Sequence, residues 1–152
     1  LRLGETQGLT ERWAESEKTY TEFTKAFPSS ELIRRVHFGL GWARENTRKY
    51  DKAIEAYLLV IAKGVKDETE ARCQFQLGEC RMALKQYDEA LAELVKVEVN
   101  YAYPEYSSKA LLEMGNALVQ KGDMEAAQSQ FREVVEKYPE SEAAKVAKAQ
   151  IK

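Results

Sequence analysis

Few side chains in this sequence are suited to catalysis or metal binding. It contains one histidine, His37, and two cysteines, Cys73 and Cys80. A zinc site usually takes three or four Cys or His ligands, so these three residues together reach only the minimum and a four-ligand site would need a carboxylate as well. Catalysis by His37 would need a neighbouring nucleophile or carboxylate in a pocket, and no spacing indicates one. We therefore predict no catalytic residue, no metal site, no cofactor and no enzymatic activity.

Composition and charge narrow the classes of partner. The chain has 23 Lys and Arg residues and 25 Asp and Glu residues, which gives a formal net charge of -2. A nucleic-acid-binding domain usually carries a basic face instead. The longest apolar run, residues 57–62, is far shorter than the ~20 residues that span a bilayer. We expect neither nucleic-acid binding nor direct membrane insertion of this segment.

The sequence repeats with a period of 37 residues, without gaps. The first ladder is Leu3-Gly4, Leu40-Gly41, Leu77-Gly78 and Met114-Gly115. A small-residue ladder is Ser16, Ala53, Ala90 and Ala127, and a bulky ladder is Tyr20, Tyr57, Leu94 and Phe131. Cys73 aligns with Val36 and Ala110, and Cys80 aligns with Ala43 and Ala117, which predicts small buried positions for both thiols. Such periods are typical of solenoid folds.

Each copy has the pattern of two amphipathic helices. Apolar residues recur at the i, i+3, i+4, i+7 spacing, and no strand pattern is present. The predicted helices are 31–46, 51–63, 68–84, 88–100, 105–121 and 123–137. The repeating glycine, costly by about 1 kcal/mol inside a helix, is predicted to pack against the facing alanine ladder.

Polar residues at the predicted helix starts match capping preferences. Candidate caps are Ser29, Ser30, Asp51, Asp88, Asp123 and Ser141. The acidic pairs Glu68/Glu70 and Glu140/Glu142 also lie at helix starts. A negative charge there complements the helix dipole, so we interpret these pairs as structural and not as acid–base groups.

The pattern resembles the tetratricopeptide repeat (TPR), in which Leu-Gly, Ala, an aromatic residue and Pro follow in order through each helix–turn–helix unit. Pro28, Ala53, Tyr57, Phe131 and Pro139 are among the matching positions. The resemblance implies an all-α fold, a right-handed superhelical solenoid of antiparallel helix pairs that binds other proteins. The period exceeds the ordinary 34 residues by three.

Two links between copies are similar to those of bacterial envelope TPR proteins, of the Tol-Pal-associated coordinator and outer-membrane assembly lipoprotein type. They are Phe27-Pro28-Ser29-Ser30 and Tyr138-Pro139-Glu140-Ser141. We expect a periplasmic or envelope-associated location on this basis, with a cytoplasmic one as the alternative.

The register predicts a single array segment, with a half repeat at 1–30, repeats at about 31–67, 68–104 and 105–141, and the start of a further helix at 142–152.

The resemblance also implies that first helices line a concave groove that contacts ligands. A basic row repeats there as Arg35, Arg72 and Lys109, and a second row one residue past the glycine is Trp42, Glu79 and Asn116. Trp and Arg are enriched at binding hot spots, so these six residues are our candidate partner-binding set. A solvated charged face with one half-packed indole is the alternative. Chaperone-binding TPRs hold a C-terminal carboxylate with a clamp of Lys and Asn residues. Only Asn116 matches a clamp position here, which argues against a carboxylate ligand of that chaperone type.

We therefore predict a non-catalytic scaffold or adaptor that binds a partner peptide or helix in the groove. One alternative is a structural spacer or self-association segment whose open array ends dock on like chains. Another is a regulatory arm of a larger multidomain protein.

Overall fold

The computed structural model describes residues 1–151 and divides the chain into two compact units, Leu1–Val65 (unit 1) and Lys66–Lys152 (unit 2). Within the described residues there are nine helices and no strand, so the predicted all-α class is confirmed. The helix bounds lie within two residues of the predicted ones.

Unit 1 contains four helices in which each packs on the next and α1 also contacts α3. They are α1 (Arg2–Leu9), α2 (Trp13–Ala26), α3 (Ile33–Asn46) and α4 (Tyr50–Ile61). Part of their buried core consists of Tyr20, Val36, Leu40 and Ala56, with Phe23 packed against it. These core residues come from three helices, α2, α3 and α4. The core therefore joins one helix pair to the next as well as the two helices within a pair.

Unit 2 contains five helices with the same sequential packing, and α7 contacts both α5 and α9. They are α5 (Glu68–Ala83), α6 (Tyr87–Asn100), α7 (Pro104–Lys121), α8 (Met124–Lys137) and α9 (Glu142–Lys148). Phe75, Leu94, Val97 and Ala110 form one buried cluster. A second cluster comprises Leu111, Ala127, Phe131, Val134, Ala143, Ala144 and Ala147.

The repeating glycines face the bulky ladder, which corrects the prediction that they face the alanines. A β-carbon on Gly41 would lie 2.5 Å from Cε1 of Tyr57. The reason is that long side chains on a helix extend back towards its N-terminus, so the Tyr57 ring covers the turn that carries Ala53. The alanine ladder is fully buried beneath it, with Ala53, Ala90 and Ala127 at 0% exposure.

The turn inside each helix pair uses one backbone geometry. A residue with positive φ recurs every 37 positions, at Glu11, Arg48, Lys85 and Gly122. The residue after it donates its N–H to the carbonyl five positions earlier, as in Asp123 N to Leu118 O at 3.0 Å. This is the hydrogen bond of the Schellman motif, which closes the C-terminus of a helix.

Helix caps follow the predictions in part. Asp123 and Ser141 are N-caps whose side chains accept from the backbone N–H groups of α8 and α9. Asp51 and Asp88 lie inside the first turns of α4 and α6, where the N-caps are other residues without a side-chain cap bond. The N-cap of α3 is Leu32, whose backbone N–H donates to the hydroxyl of Ser30. The prediction of Ser29, Ser30, Asp51 and Asp88 as N-caps is therefore wrong.

The first turn of α5 carries a reciprocal cap that the sequence analysis missed. Asp67 accepts from Glu70 N at 3.0 Å, and the Glu70 carboxylate accepts from Lys66 N at 2.9 Å. The arrangement is similar to a capping box, except that the second bond comes from the residue before the N-cap, and it satisfies two backbone N–H groups. It supports the structural interpretation of the Glu68/Glu70 pair, since Glu70 is a buried part of the helix start.

Candidate functional site

The two candidate residues in unit 1, Arg35 and Trp42, line the same cavity. It has a volume of about 310 Å³ and opens between α1 and α3, with α2 behind them. Its lining residues are Glu5, Gly8, Leu9, Ser16, Tyr20, Arg35, Phe38, Gly39 and Trp42. We call this surface the unit 1 groove. Its volume falls at the lower end of the ~300–1,000 Å³ typical of ligand pockets.

The ring of Tyr20 forms part of the groove wall and lies between two glycines. A β-carbon on Gly4 would lie 2.8 Å from Cε1 of Tyr20, and one on Gly39 would overlap the same ring. Burial and the charge of Glu5 raise the pKa of Tyr20 to about 12, against the opposing effects of Arg35 and Ser16. The phenol is therefore neutral at ordinary pH, and this wall is uncharged.

The indole of Trp42 packs edge-on against Trp13. Their ring centroids are 5.1 Å apart with an interplanar angle of 64°. Such edge-to-face pairs are favourable and fix the orientation of both rings. Trp42 is thus half-buried, and it also lines the groove. Its position is compatible both with a half-packed indole and with a contact for a partner, the two alternatives given for it above.

Arg35 lies on the rim and connects α3 to α1. Its Nη2 contacts Oε1 of Glu5 at 2.7 Å, with side-chain exposures of 65% for Arg35 and 29% for Glu5. An ion pair this exposed contributes at most about 1 kcal/mol. The guanidinium is the more exposed partner, so the rim offers a cation to solvent or to a ligand.

In unit 2, Lys109 lies beside the ring of Tyr106, and the positive charges of Arg72 and Lys109 both affect the pKa of that tyrosine. Lys109 Nζ lies 5.5 Å from the ring centroid of Tyr106 and contacts Glu105 Oε1 at 2.6 Å. The hydrogen bond and charge of Lys109, with a smaller effect of Arg72, lower the pKa of Glu105 despite slight desolvation. Burial raises the pKa of Tyr106, against the positive charge of Arg72. The predicted basic row is thus partly neutralised by a carboxylate within this unit.

The other two candidates in unit 2, Glu79 and Asn116, are half-buried on α5 and α7. The Asn116 amide donates to Oε1 of Glu113 at 3.2 Å. Burial raises the pKa of Glu113, and the bond from Asn116 opposes that rise. Asn116 therefore has a partner on its own helix.

Residues with catalytic potential occupy structural positions. Cys73 and Cys80 are buried, as the repeat register predicted, and neither is in a disulfide. His37 is half-buried, and burial, with the charges of Lys63 and Arg44, lowers its pKa, which keeps the imidazole neutral at pH 7. Across residues 1–151, no group of three or more His, Cys, Asp or Glu side chains is placed to hold a metal ion. Over the same residues, no helix is both long enough and apolar enough to cross a membrane.

Sequence reasoning missed the contribution of α1 and α2 to the groove. Glu5 stands 37 residues before Trp42 and so occupies the same register, which was a usable signal. Gly39 was a second signal, because it lies outside the glycine ladder and therefore needs its own reason. That reason is the Tyr20 ring, which leaves no space for a β-carbon.

Comparison of this chain with models of known repeat families identifies its family. Tetratricopeptide repeat models match residues 2–69, 72–102 and 109–141, which together cover most of the chain. The chain belongs to the tetratricopeptide repeat family. Among curated proteins, none matches it significantly.

Solved structures with a similar fold are distant in sequence. MamA from Desulfovibrio magneticus RS-1 matches with a TM-score of 0.76 at 19% identity, over 89% of this chain and 71% of that one. A tetratricopeptide repeat protein from Parabacteroides merdae matches with a TM-score of 0.78 at 17% identity, over 98% and 56%. A protein of nearly identical TPR-like repeats from Podosopora anserina matches with a TM-score of 0.77 at 15% identity, over 99% and 80%. At these identities the likeness concerns the fold.

Proposed function

We propose that this TPR chain is a non-catalytic scaffold that binds a partner peptide or helix in the unit 1 groove. TPR repeats generally mediate protein–protein interaction. The observation that carries the proposal is the cavity of about 310 Å³ with aromatic walls and an exposed arginine on its rim. Aromatic and arginine side chains are those that most often dominate binding energy at protein interfaces.

In this proposal Trp42 supplies the apolar contact and Arg35 the charged one. Trp42 is held by Trp13, so little side-chain entropy is lost when a ligand packs against it. In unit 2, the separate candidate contacts are Arg72, Glu79, Lys109 and Asn116. Tyr106, beside Lys109, adds an aromatic surface to that second set.

The test is capture of a partner from a lysate of the source cells by the full chain, with mass spectrometry. An Arg35→Glu, Trp42→Ala double variant should lose the partner, and an Arg72→Glu, Lys109→Glu variant reports on unit 2. Arg132→Glu, an exposed charge reversal on α8, is the matched control and should retain the partner. All variants must show the wild-type thermal melt. Equal capture by the groove variant and the control would contradict the proposed site.

Self-association is the second candidate function, because α1 carries exposed leucines. Leu3 is 60% exposed and Leu9 is 77% exposed, whereas Leu40, in the register of Leu3, is 5% exposed. A second copy covering these leucines would make the molar mass by light scattering rise with concentration. A constant mass would count against this function and leave the scaffold proposal ahead.

A periplasmic or envelope location remains a proposal that rests on the links at 27–30 and 138–141. Fractionation of the source cells with an antibody to this chain tests it. Recovery with periplasmic or membrane fractions would support it, and recovery with the cytoplasm would support the alternative.

A further inference from the structure

We propose that the occupant of the unit 1 groove is a peptide segment that inserts a bulky apolar side chain into the cavity and places a carboxylate on Arg35. This inference rests on the proposed function and specifies the chemistry of its partner. It predicts selection for an Asp or Glu close to an aromatic or long aliphatic residue.

The cavity walls favour an uncharged side chain. Tyr20, Phe38 and Trp42 contribute rings, and the phenol of Tyr20 stays neutral. A charged group inserted here would lose hydration without a buried partner to replace it. An apolar side chain would instead gain contacts with rings that already have fixed positions.

The absence of a side chain at Gly8 leaves part of the cavity open. A β-carbon on Gly8 would meet no atom closer than 3.4 Å, and one of its neighbours would be Cζ3 of Trp42 at 4.0 Å. A β-carbon at Gly8 therefore fits, and because Gly8 lines the cavity, we expect a longer side chain there to occupy space that the ligand would use. This makes Gly8→Leu a variant that fills the groove from within.

The charges on the rim favour an anion over a cation. Three aromatic rings and Glu5 could in principle hold a cationic side chain. However, Glu5 is already paired with Arg35, and it is the less exposed of the two. An incoming cation would meet the exposed guanidinium, whereas a carboxylate could form charge-assisted hydrogen bonds with it.

The protein carries its own reporter for this site. Both of its tryptophans, Trp13 and Trp42, belong to the aromatic pair at the groove. Tryptophan fluorescence, excited where tyrosine absorbs little, therefore reports on the unit 1 groove. A peptide without tryptophan can be titrated without any label.

The experiment selects binders from a random peptide library with the full chain and, in parallel, with Arg35→Glu. For the wild type we expect bulky apolar residues with Asp or Glu nearby, and for Arg35→Glu we expect Lys or Arg instead. The best wild-type peptide is then synthesised with its acid changed to Lys, and with its apolar anchor changed to Ala. Each change should weaken binding to the wild type roughly tenfold or more by tryptophan fluorescence. Gly8→Leu should bind the parent peptide at least as poorly.

The outcomes separate this inference from the proposed function. Peptides that need Trp42 and an open Gly8 position but show no acidic preference would overturn the inference and keep the groove as the site. Peptides that bind equally to wild type, Gly8→Leu and Trp42→Ala would overturn both. Failure to enrich any peptide with either bait would also count against both.

Discussion

Each repeating glycine exists because a large side chain of the second helix occupies the position of its missing β-carbon. Gly41 faces the Tyr57 ring, whose hydroxyl donates to Oε2 of Glu45 at 2.6 Å. The ring is fully buried and tied at its far end, so it has little freedom to move aside. Loss of helix propensity at the glycine is thus balanced by close packing of the pair.

We expect Gly41→Ala to lower the free energy of unfolding by about 1–3 kcal/mol, because the added methyl overpacks the Tyr57 contact. Gly8→Ala is the matched control, since its β-carbon meets only ordinary contacts, and its stability should be unchanged or higher. Urea denaturation measures both. If the two variants were equally stable, the steric explanation for the glycine ladder would fail.

At this scale the sequence identifies the residues but not the directions of their side chains. Register showed that Gly41, Ala53 and Tyr57 recur together, but recurrence cannot tell which of two residues one turn apart faces the glycine. In the same way, Arg35 and Trp42 were identifiable from their ladders. Their neighbours Glu5 and Tyr20 come from other helices, and such contacts depend on packing between elements.

The turn within each helix pair depends on backbone hydrogen bonds more than on side-chain type. Only one of its four positive-φ residues is a glycine, Gly122 with φ 82°, while Lys85 has φ 59°. The sequence carries no turn signal at the other three, because glutamate, arginine and lysine do not mark a turn. The motif forms there at a cost in conformational energy, since residues with a β-carbon disfavour this region.

Lys85→Gly should therefore raise the free energy of unfolding by about 0.5–1 kcal/mol, and Gly122→Ala should lower it by about 1 kcal/mol. The two positions are equivalent in the repeat, so the opposite signs test one explanation. Thermal and urea unfolding provide the measurement. A loss of stability in Lys85→Gly would show that its side chain contributes more than its backbone strain costs.

Helix α2 is tied to α3 and to the start of α4 through Glu17. Its carboxylate contacts Lys49 Nζ at 2.6 Å and Arg44 Nε at 3.3 Å. Burial alone would raise the pKa of Glu17, but the hydrogen bonds and charges of Lys49 and Arg44 outweigh it and lower the pKa. The ionised carboxylate therefore stabilises the folded state.

We expect Glu17→Gln to lower stability at pH 7 by about 1 kcal/mol. Because the folded-state pKa lies below the unfolded value near 4.5, this contribution is present above pH 4.5 and disappears as pH falls through the folded-state pKa. Glu22→Gln, exposed on the same helix, should change little at any pH. A constant difference between Glu17→Gln and wild type from pH 7 to pH 3 would contradict the assignment.

At the scale of the whole molecule, the chain divides into two compact units. Repeat proteins gain stability from neighbouring repeats, so a local change need not affect the whole chain equally. Both tryptophans lie in unit 1, while helices are present in both units. Tryptophan fluorescence thus follows unit 1, and far-UV circular dichroism follows the entire chain.

We expect Phe131→Ala, which removes a buried ring from the second cluster of unit 2, to destabilise that unit by about 3–5 kcal/mol. The dichroism transition should broaden or shift further than the fluorescence transition. Val36→Ala in the unit 1 core should shift fluorescence at least as far as dichroism. Coincident transitions in both variants would show that the two units unfold as one cooperative body.

The fold was largely predictable because period, helix bounds and class all follow from local pattern. The boundary between the two compact units has no counterpart in the register, which runs through residue 65 without a gap, and the single array segment stays a prediction.

Burial of both cysteines has a practical consequence for chemical labelling. Cys73 and Cys80 are 0% and 1% exposed, so neither should react readily with a maleimide while the protein is folded. A cysteine introduced at an exposed position, such as Leu9 on the groove rim, would then be the preferred attachment point on an otherwise unaltered chain. With a second introduced cysteine, paired dyes or spin labels could report the distance across the groove with and without a peptide, without first removing the natural thiols.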